Sequence, residues 1–137
     1  MALKKIKTIK GYDAEYWKMT RVGFDLMTLT LSSQLDVFKD MATRQAGSIN
    51  SMGREVKKWG IMDLPLNGET IEERFAEVAG KTFLEIVSLA YTKWVESDIQ
   101  SRQQVIDGVP QVDEQGRPIM EDYEANWFAD SESVLEV

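Results

Sequence analysis

The chain has 137 residues, with 16 Lys plus Arg, 23 Asp plus Glu, and neither cysteine nor histidine. This length fits one domain of ordinary size, and an apolar share of 43% is enough for a packed core. Without Cys and His the chain cannot form a disulfide, bind zinc through thiolate or imidazole, or use a Ser-His-Asp or Cys-His mechanism. Carboxylate, lysine, tyrosine and backbone chemistry remain.

The charge is distributed unevenly along the chain. Residues 1–10 contain four lysines and no acid, whereas residues 96–137 contain 11 acids and two arginines. A basic arm and an acidic tail can steer self-association. The net charge of −7 disfavours a nucleic-acid partner, because a phosphate backbone requires a basic stripe.

We expect no secretory signal, since the basic start is not followed by an apolar run. No stretch approaches the roughly 18 apolar residues of a membrane span. We therefore expect no membrane partner and a protein that is made and assembled in the cytoplasm.

The β elements are predicted from alternation. Residues 15–38 alternate with period two and are rich in aromatic and β-branched side chains, which predicts an antiparallel hairpin with strands at about 15–24 and 28–38. A weaker alternation predicts a possible third strand at about 54–61. In this register the aliphatic set of the second strand occupies one face, and Trp17 and Trp59 lie on the opposite face.

The helices are predicted from their start signals. Thr70-Ile71-Glu72-Glu73 and Thr82-Phe83-Leu84-Glu85 both fit the capping box. They predict helices at 70–79 and about 82–98, the second apolar over more than half of its circumference. Beyond Glu96, two prolines argue against a central strand, so we expect a loop or small hairpin followed by an acidic tail.

These elements together predict an α+β fold. A small antiparallel sheet would pack against two helices at about 70–98. The domain would span residues 1–98 with a basic N-terminal arm. Residues 99–137 would form an acidic loop and tail, docked on the same domain or on a neighbour.

Acidic residues are the main candidates for catalysis and for metal binding. Asp107, Asp113 and Glu114 lie close in sequence, but their spacing does not fit a calcium loop, so they are interpreted as solvated loop acids. No glycine-rich phosphate cradle is present. We expect no enzyme activity, no cofactor, no metal and no small-molecule substrate, and keep a carboxylate- or metal-dependent hydrolase as an alternative.

Aromatic and lysine side chains supply a candidate interface. Tryptophan and tyrosine are favoured at the centres of protein interfaces, and exposed lysines can orient an acidic partner. Tyr16 and Trp17 could alternatively stack on a sugar. The candidate interface residues are Lys4, Lys5, Lys7, Tyr16, Trp17, Trp59, Trp94 and Trp127.

The first 47 residues resemble small virion structural proteins of tailed bacteriophages. A lysine-rich lead ending at Gly11 precedes Ala14-Glu15-Tyr16-Trp17-Lys18-Met19-Thr20-Arg21-Val22, and a second alternating strand runs into Val37-Phe38-Lys39-Asp40. In that family a short antiparallel β-domain precedes an Ala-Tyr helix, which Leu89-Ala90-Tyr91 would match. Trp127-Phe128-Ala129-Asp130 echoes the aromatic-Ala-Asp close of those proteins.

The resemblance implies a structural subunit of the tail, baseplate or neck of a virion. Its partners would be copies of itself and other virion proteins, and its final location would be the virion. Two alternatives stay open. The chain could be a non-enzymatic binding module, either a host-factor inhibitor or a sugar-binding tip protein, or it could be the hydrolase considered above.

Overall fold

A computed structural model describes residues 2–9, 11–46 and 51–134. Strands account for 45% of these described residues and helices for 22%. The elements in order are β1 (Ala2–Ile9), β2 (Tyr12–Asp25), β3 (Thr30–Phe38), α1 (Met41–Gln45), β4 (Gly53–Gly60), a 3-10 turn (Ile61–Asp63), α2 (Ile71–Ala79), α3 (Phe83–Trp94), β5 (Ile99–Gln103), β6 (Val105–Ile106), β7 (Val109–Pro110), β8 (Met120–Glu124) and β9 (Glu132–Val134).

A five-stranded antiparallel sheet is the main body of the fold. Its strand order is β4-β3-β2-β1-β9, so the last strand lies beside the first. The hairpin predicted at residues 15–38 is formed by β2 and β3, and the possible third strand is β4. The basic N-terminal arm expected at residues 1–10 is strand β1 in its described part.

The predicted α+β fold with two helices packed on the sheet is wrong. The protein is mostly β, with three short helices. Helix α3 lies on the sheet and buries Leu89, Ala90, Tyr91 and Trp94, but α2 contains no buried residue. Its apolar stripe of Ile71 and Phe75 stays largely exposed, because α2 packs beside the 3-10 turn instead of on the sheet.

The predicted faces of the hairpin are also wrong. Cross-strand partners share a face, and Trp17 pairs with Val37 while Trp59 pairs with Leu31. Both tryptophans therefore lie on the aliphatic face, which is the face that α3 covers. A register shift at Thr20 explains the error for Trp17, whereas Trp59 lies on β4, whose pairing with β3 the alternation did not specify. The extra residue reverses the alternation, so that Met19 before it and Val22 after it both pack against the core.

The sheet curls strongly enough to bring β1 close to β4, although two strands separate them in the sheet. Lys7 Nζ lies 3.1 Å from Glu55 Oε1. A Cβ at Gly53 would lie 3.1 Å from the Ile9 side chain, so a larger residue there would crowd the approach of the two strands. The core fills the inside of this curl.

Candidate assembly surfaces

Five aromatic rings form one connected group inside the curl. The ring centroids of Trp59 and Trp94 are 5.7 Å apart, those of Trp94 and Phe128 are 5.1 Å apart, and Phe128 lies 5.0 Å from Trp17. Trp127 contacts both Phe128 and Trp17. Every pair is edge-to-face, the arrangement that aromatic quadrupoles favour. We call these five residues the aromatic cluster.

Three lysines lie over the rings of the aromatic cluster. Lys5 Nζ is 4.2 Å from the centroid of the Trp127 ring, and Lys57 Nζ is 5.0 Å from that of Trp94. Lys7 Nζ lies 6.0 Å from the centroid of the Trp17 ring and 5.8 Å from that of the Trp127 ring. Lys5 also donates to the Trp127 carbonyl and pairs with Asp130 at 2.5 Å. The basic strand β1 therefore holds the C-terminal segment through charge and ring contacts together.

Asn126 connects that segment to the end of α3. Its side-chain amide donates to the carbonyl oxygens of Trp94 at 2.8 Å and Glu96 at 2.7 Å. Its side-chain oxygen accepts from Lys57 Nζ and from the Phe128 amide, both at 3.1 Å. The last carbonyls of a helix lack partners within the helix, so Asn126 satisfies groups that the end of α3 leaves open.

The structure brings most of the predicted interface residues together, but inside the molecule. Tyr16, Trp17 and Trp94 are buried, with Trp17 1% and Trp94 0% exposed. Trp59 and Lys5 are half-buried, Lys4 and Lys7 are exposed, and Trp127 keeps 39% of its surface. Tyr16 packs with Ala2 and Phe38, in a small cluster apart from the aromatic one. Trp17 and Trp94 pack against Phe128 of the C-terminal segment and do not form an open interface.

A polar cleft of about 430 Å³ opens next to the aromatic cluster. Its charged lining residues are Lys57, Asp63, Lys93, Glu96 and Asp98. Lys93 pairs with Glu96 at 2.8 Å. Burial lowers the pKa of Lys57, and Glu55 and Asp98 partly oppose that shift. Charges of both signs neutralise one another in this cleft, so it presents no uniform field to a charged substrate.

The acids considered as metal ligands have other roles. Asp113 accepts hydrogen bonds from the amides of Gln115 and Arg117 within its own turn. Asp107 and Gly108 both have positive φ and form the two-residue loop between β6 and β7. In the described ranges no group of three or more acidic side chains is placed to hold a metal ion.

Residues 99–124 form a projecting β-arm. Strands β5 and β8 make its stem, and the β6–β7 hairpin and the turn at residues 112–118 form its end. No residue from 95 to 125 is buried, although the β-arm carries many apolar side chains. The exposed ones are Ile99, Val105, Ile106, Val109, Val112, Ile119 and Met120.

Strand β2 has an open edge beside the start of α3. Strand β1 pairs with β2 only as far as Trp17, and residues 20–25 pair with β3 alone among the described strands. The Met19 amide donates to Tyr91 Oη at 3.0 Å, which places α3 along this edge. Phe83 and Leu84 stand beside it, 70% and 76% exposed. We call residues 20–25 with Phe83, Leu84 and Val87 the edge groove.

Comparisons of the chain with protein-family models, with curated proteins and with solved structures found no match. In the part of the chain that the structure describes, no helix is long and apolar enough to cross a membrane.

Sequence reasoning missed the edge groove and the stem of the β-arm, although a loop or small hairpin is predicted for the segment at its end. Phe83 is predicted on the apolar side of the second helix, and a sheet edge leaves no mark in sequence. The Asp107-Gly108 pair was a usable signal for the hairpin at the end of the β-arm, since Asp-Gly favours the two-residue loop that the structure contains.

Proposed function

We propose that the chain is a structural subunit of a tailed-phage virion that acts by assembly with copies of itself and with neighbouring virion proteins. The observation that carries the proposal is the β-arm. A stem of two short strands without its own core is marginally stable in water. Seven exposed apolar side chains along the β-arm favour an arm that is covered when subunits meet.

The charge distribution supports the same proposal. The β-arm contains six acids and two arginines. The sheet face opposite α3 carries the exposed bases Lys4, Arg21, Arg54 and Lys58. Opposite charges on different parts of one chain attract between copies and set their orientation. A partner that covers about 800 Å² on each side would give a stable assembly.

The test is light scattering of the purified chain with and without the β-arm. Ile99 pairs with Glu124 in the stem, so Asn-Gly in place of residues 100–123 would close the stem with a two-residue loop. We expect the intact chain to form oligomers at high concentration and the shortened chain to be a folded monomer. An intact chain that stays monomeric at millimolar concentration would contradict self-assembly.

A second experiment tests whether the chain is a structural part of the phage particle. In the phage that encodes the chain, we expect particles produced without the gene to lack an attached or complete tail, and restoration by the intact chain but not by the arm-deleted chain. Complete particles formed in the absence of the gene would contradict a structural role.

A further inference from the structure

The edge groove has two different sides. On the side toward α3, a hollow of about 280 Å³ has Phe83, Leu84 and Val87 among its apolar lining residues and Lys18 and Arg21 as its charged ones. On the opposite side of the strand, a hollow of about 580 Å³ has Arg21 and Lys58 as its charged lining residues. The two hollows share residues 20–22 and Phe83, so they form one channel on both sides of the open edge.

An extended strand that enters this channel would meet both sides at once. Its backbone would pair with residues 20–25 of β2, and its side chains would point alternately to the two faces. The side chains toward α3 should therefore include an apolar group, and those toward Arg21 and Lys58 an acidic one. A strand with this alternation and a free edge of its own is the occupant that the groove fits.

Strand β8 has these properties. Met120 and Glu121 are adjacent and point to opposite faces, and Met120 is 56% exposed. Within the described residues β8 pairs with β5 alone, which leaves its other edge open. Glu121 pairs with Arg102 at 3.1 Å, but an exposed pair of this kind is weak and does not block a second cation. β5 has the same open geometry, but its charged residue is Arg102.

We infer that β8 in the β-arm of one copy adds as a strand to the edge groove of a second copy, with Met120 beside Phe83 and Glu121 beside Arg21 and Lys58. This inference depends on the proposed self-assembly. The contact joins two different surfaces, so it repeats from copy to copy and produces a ring or a filament.

The test exchanges the charges of the two surfaces. The groove variant carries Arg21→Glu and Lys58→Glu, and the arm variant carries Glu121→Lys. Each variant alone should be a monomer by light scattering, because groove and arm then have like charges. A mixture should assemble again, since each arm meets a groove of opposite charge. Loss of assembly in both variants without recovery in the mixture would overturn the pairing.

Two matched controls accompany these variants. Lys39→Glu with Arg44→Glu makes the same charge change beyond the other end of β3, and should assemble like the unaltered chain. Phe83→Ser with Leu84→Ser should weaken assembly at least tenfold, whereas Leu26→Ser with Met27→Ser at the exposed β2–β3 turn should not. Equal effects of the two serine pairs would overturn the assignment of the apolar side.

The outcomes separate this inference from the proposed function. An unaltered chain that is monomeric contradicts self-assembly itself. An unaltered chain that assembles, with groove and arm variants that assemble equally well, leaves self-assembly intact and overturns the edge groove as its contact.

Discussion

Among the described residues of the C-terminal segment, Asn126 makes the most side-chain hydrogen bonds. It uses both hydrogens of its side-chain amide on the carbonyls of Trp94 and Glu96 and accepts two hydrogen bonds on its oxygen. The side chain is 8% exposed, so water cannot replace these bonds without a rearrangement. A buried polar group that loses its partner costs about 1–3 kcal/mol.

Asn126→Ala is expected to lower the free energy of unfolding by about 2–4 kcal/mol, because it leaves two carbonyls and the Lys57 amine without this partner. Urea unfolding followed by far-ultraviolet circular dichroism measures the change. Asn126→Asp keeps the size and the acceptor but removes the two donors, and should also destabilise. Gln115→Ala in an exposed turn is the control, with a change within about 0.5 kcal/mol. A stable Asn126→Asp variant would contradict the role of the donated bonds.

Individual residues also show where prediction from sequence stops. Alternation located β2 and β3 correctly, but the extra residue at Thr20 reversed the faces. Nothing in Met19-Thr20-Arg21 distinguishes a bulge from a regular strand, because a bulge is set by sheet curvature and packing. The interface predicted for Trp17 followed from that reversed face, and Trp17 is a core residue.

The start of helix α3 is predicted correctly from its local sequence. Thr82 accepts from the Glu85 amide and the Glu85 carboxylate accepts from the Thr82 amide, which completes the predicted capping box. At α2 the Glu73 carboxylate accepts from the Glu69 amide instead. Both helix starts are predicted from sequence, but the position of α2 away from the sheet is not. An amphipathic pattern does not specify which element packs against the apolar side of a helix.

Thr82→Ala should lower the free energy of unfolding by about 1 kcal/mol, because the first turn of α3 loses its side-chain cap. Thr92→Ala is the matched control. Thr92 donates to the Ser88 carbonyl within the same helix, a bond that does not favour the helix, so that change should be neutral or slightly stabilising. Thermal unfolding of the two variants measures the difference, and equal losses would contradict the cap.

Glu124 anchors the β-arm to the domain. Its carboxylate accepts from Ser97 Oγ at 2.5 Å and from the amides of Asp98 and Asn126 at 2.7 and 2.9 Å. The bond from Ser97, followed by the two amide bonds, lowers the pKa of Glu124. A carboxylate whose pKa is lower in the folded state stabilises the fold at pH values above its unfolded pKa of about 4.3. That stabilisation is lost as the pH falls through the lowered value.

Hydrogen exchange of the Asp98 and Asn126 amides tests this anchor. Both amides should be protected near neutral pH and should lose protection, relative to the intrinsic exchange rate, as the pH falls through the lowered pKa of Glu124. In a Glu124→Gln variant, protection should be weaker and independent of pH over this range. Glu114→Gln, in an exposed turn, should keep the profile of the unaltered chain. A pH-independent profile in the unaltered chain would contradict the role of the Glu124 carboxylate.

At the scale of the whole molecule, the two parts of the acidic C-terminal third differ sharply. The β-arm lies outside the core, whereas residues 126–134 complete the core and the sheet. By composition, both parts belong to one acidic segment. Their difference depends on contacts with β1 and α3 more than 30 residues away along the chain, which a local pattern does not encode.

We expect a chain that ends at Ala125 to lose cooperative unfolding, because it lacks Asn126, Phe128 and β9. The variant with Asn-Gly in place of residues 100–123 removes more residues but should retain a cooperative transition within about 1 kcal/mol of the unaltered chain, since it removes no buried side chain. Circular dichroism during urea unfolding distinguishes the two. A cooperative transition in the chain ending at Ala125 would contradict the placement of this segment in the core.

The aromatic cluster has an optical consequence. The chain has four tryptophans, and all of them lie within it, with neighbouring ring centroids less than 6 Å apart. Excitation energy passes readily between rings this close, so the emission of the protein comes from one place and reports the seating of residues 127–128 against the sheet. The β-arm has no tryptophan and contributes Tyr123 alone to the absorbance. Tryptophan fluorescence would therefore report the closing of the core and would not respond to movements of the β-arm.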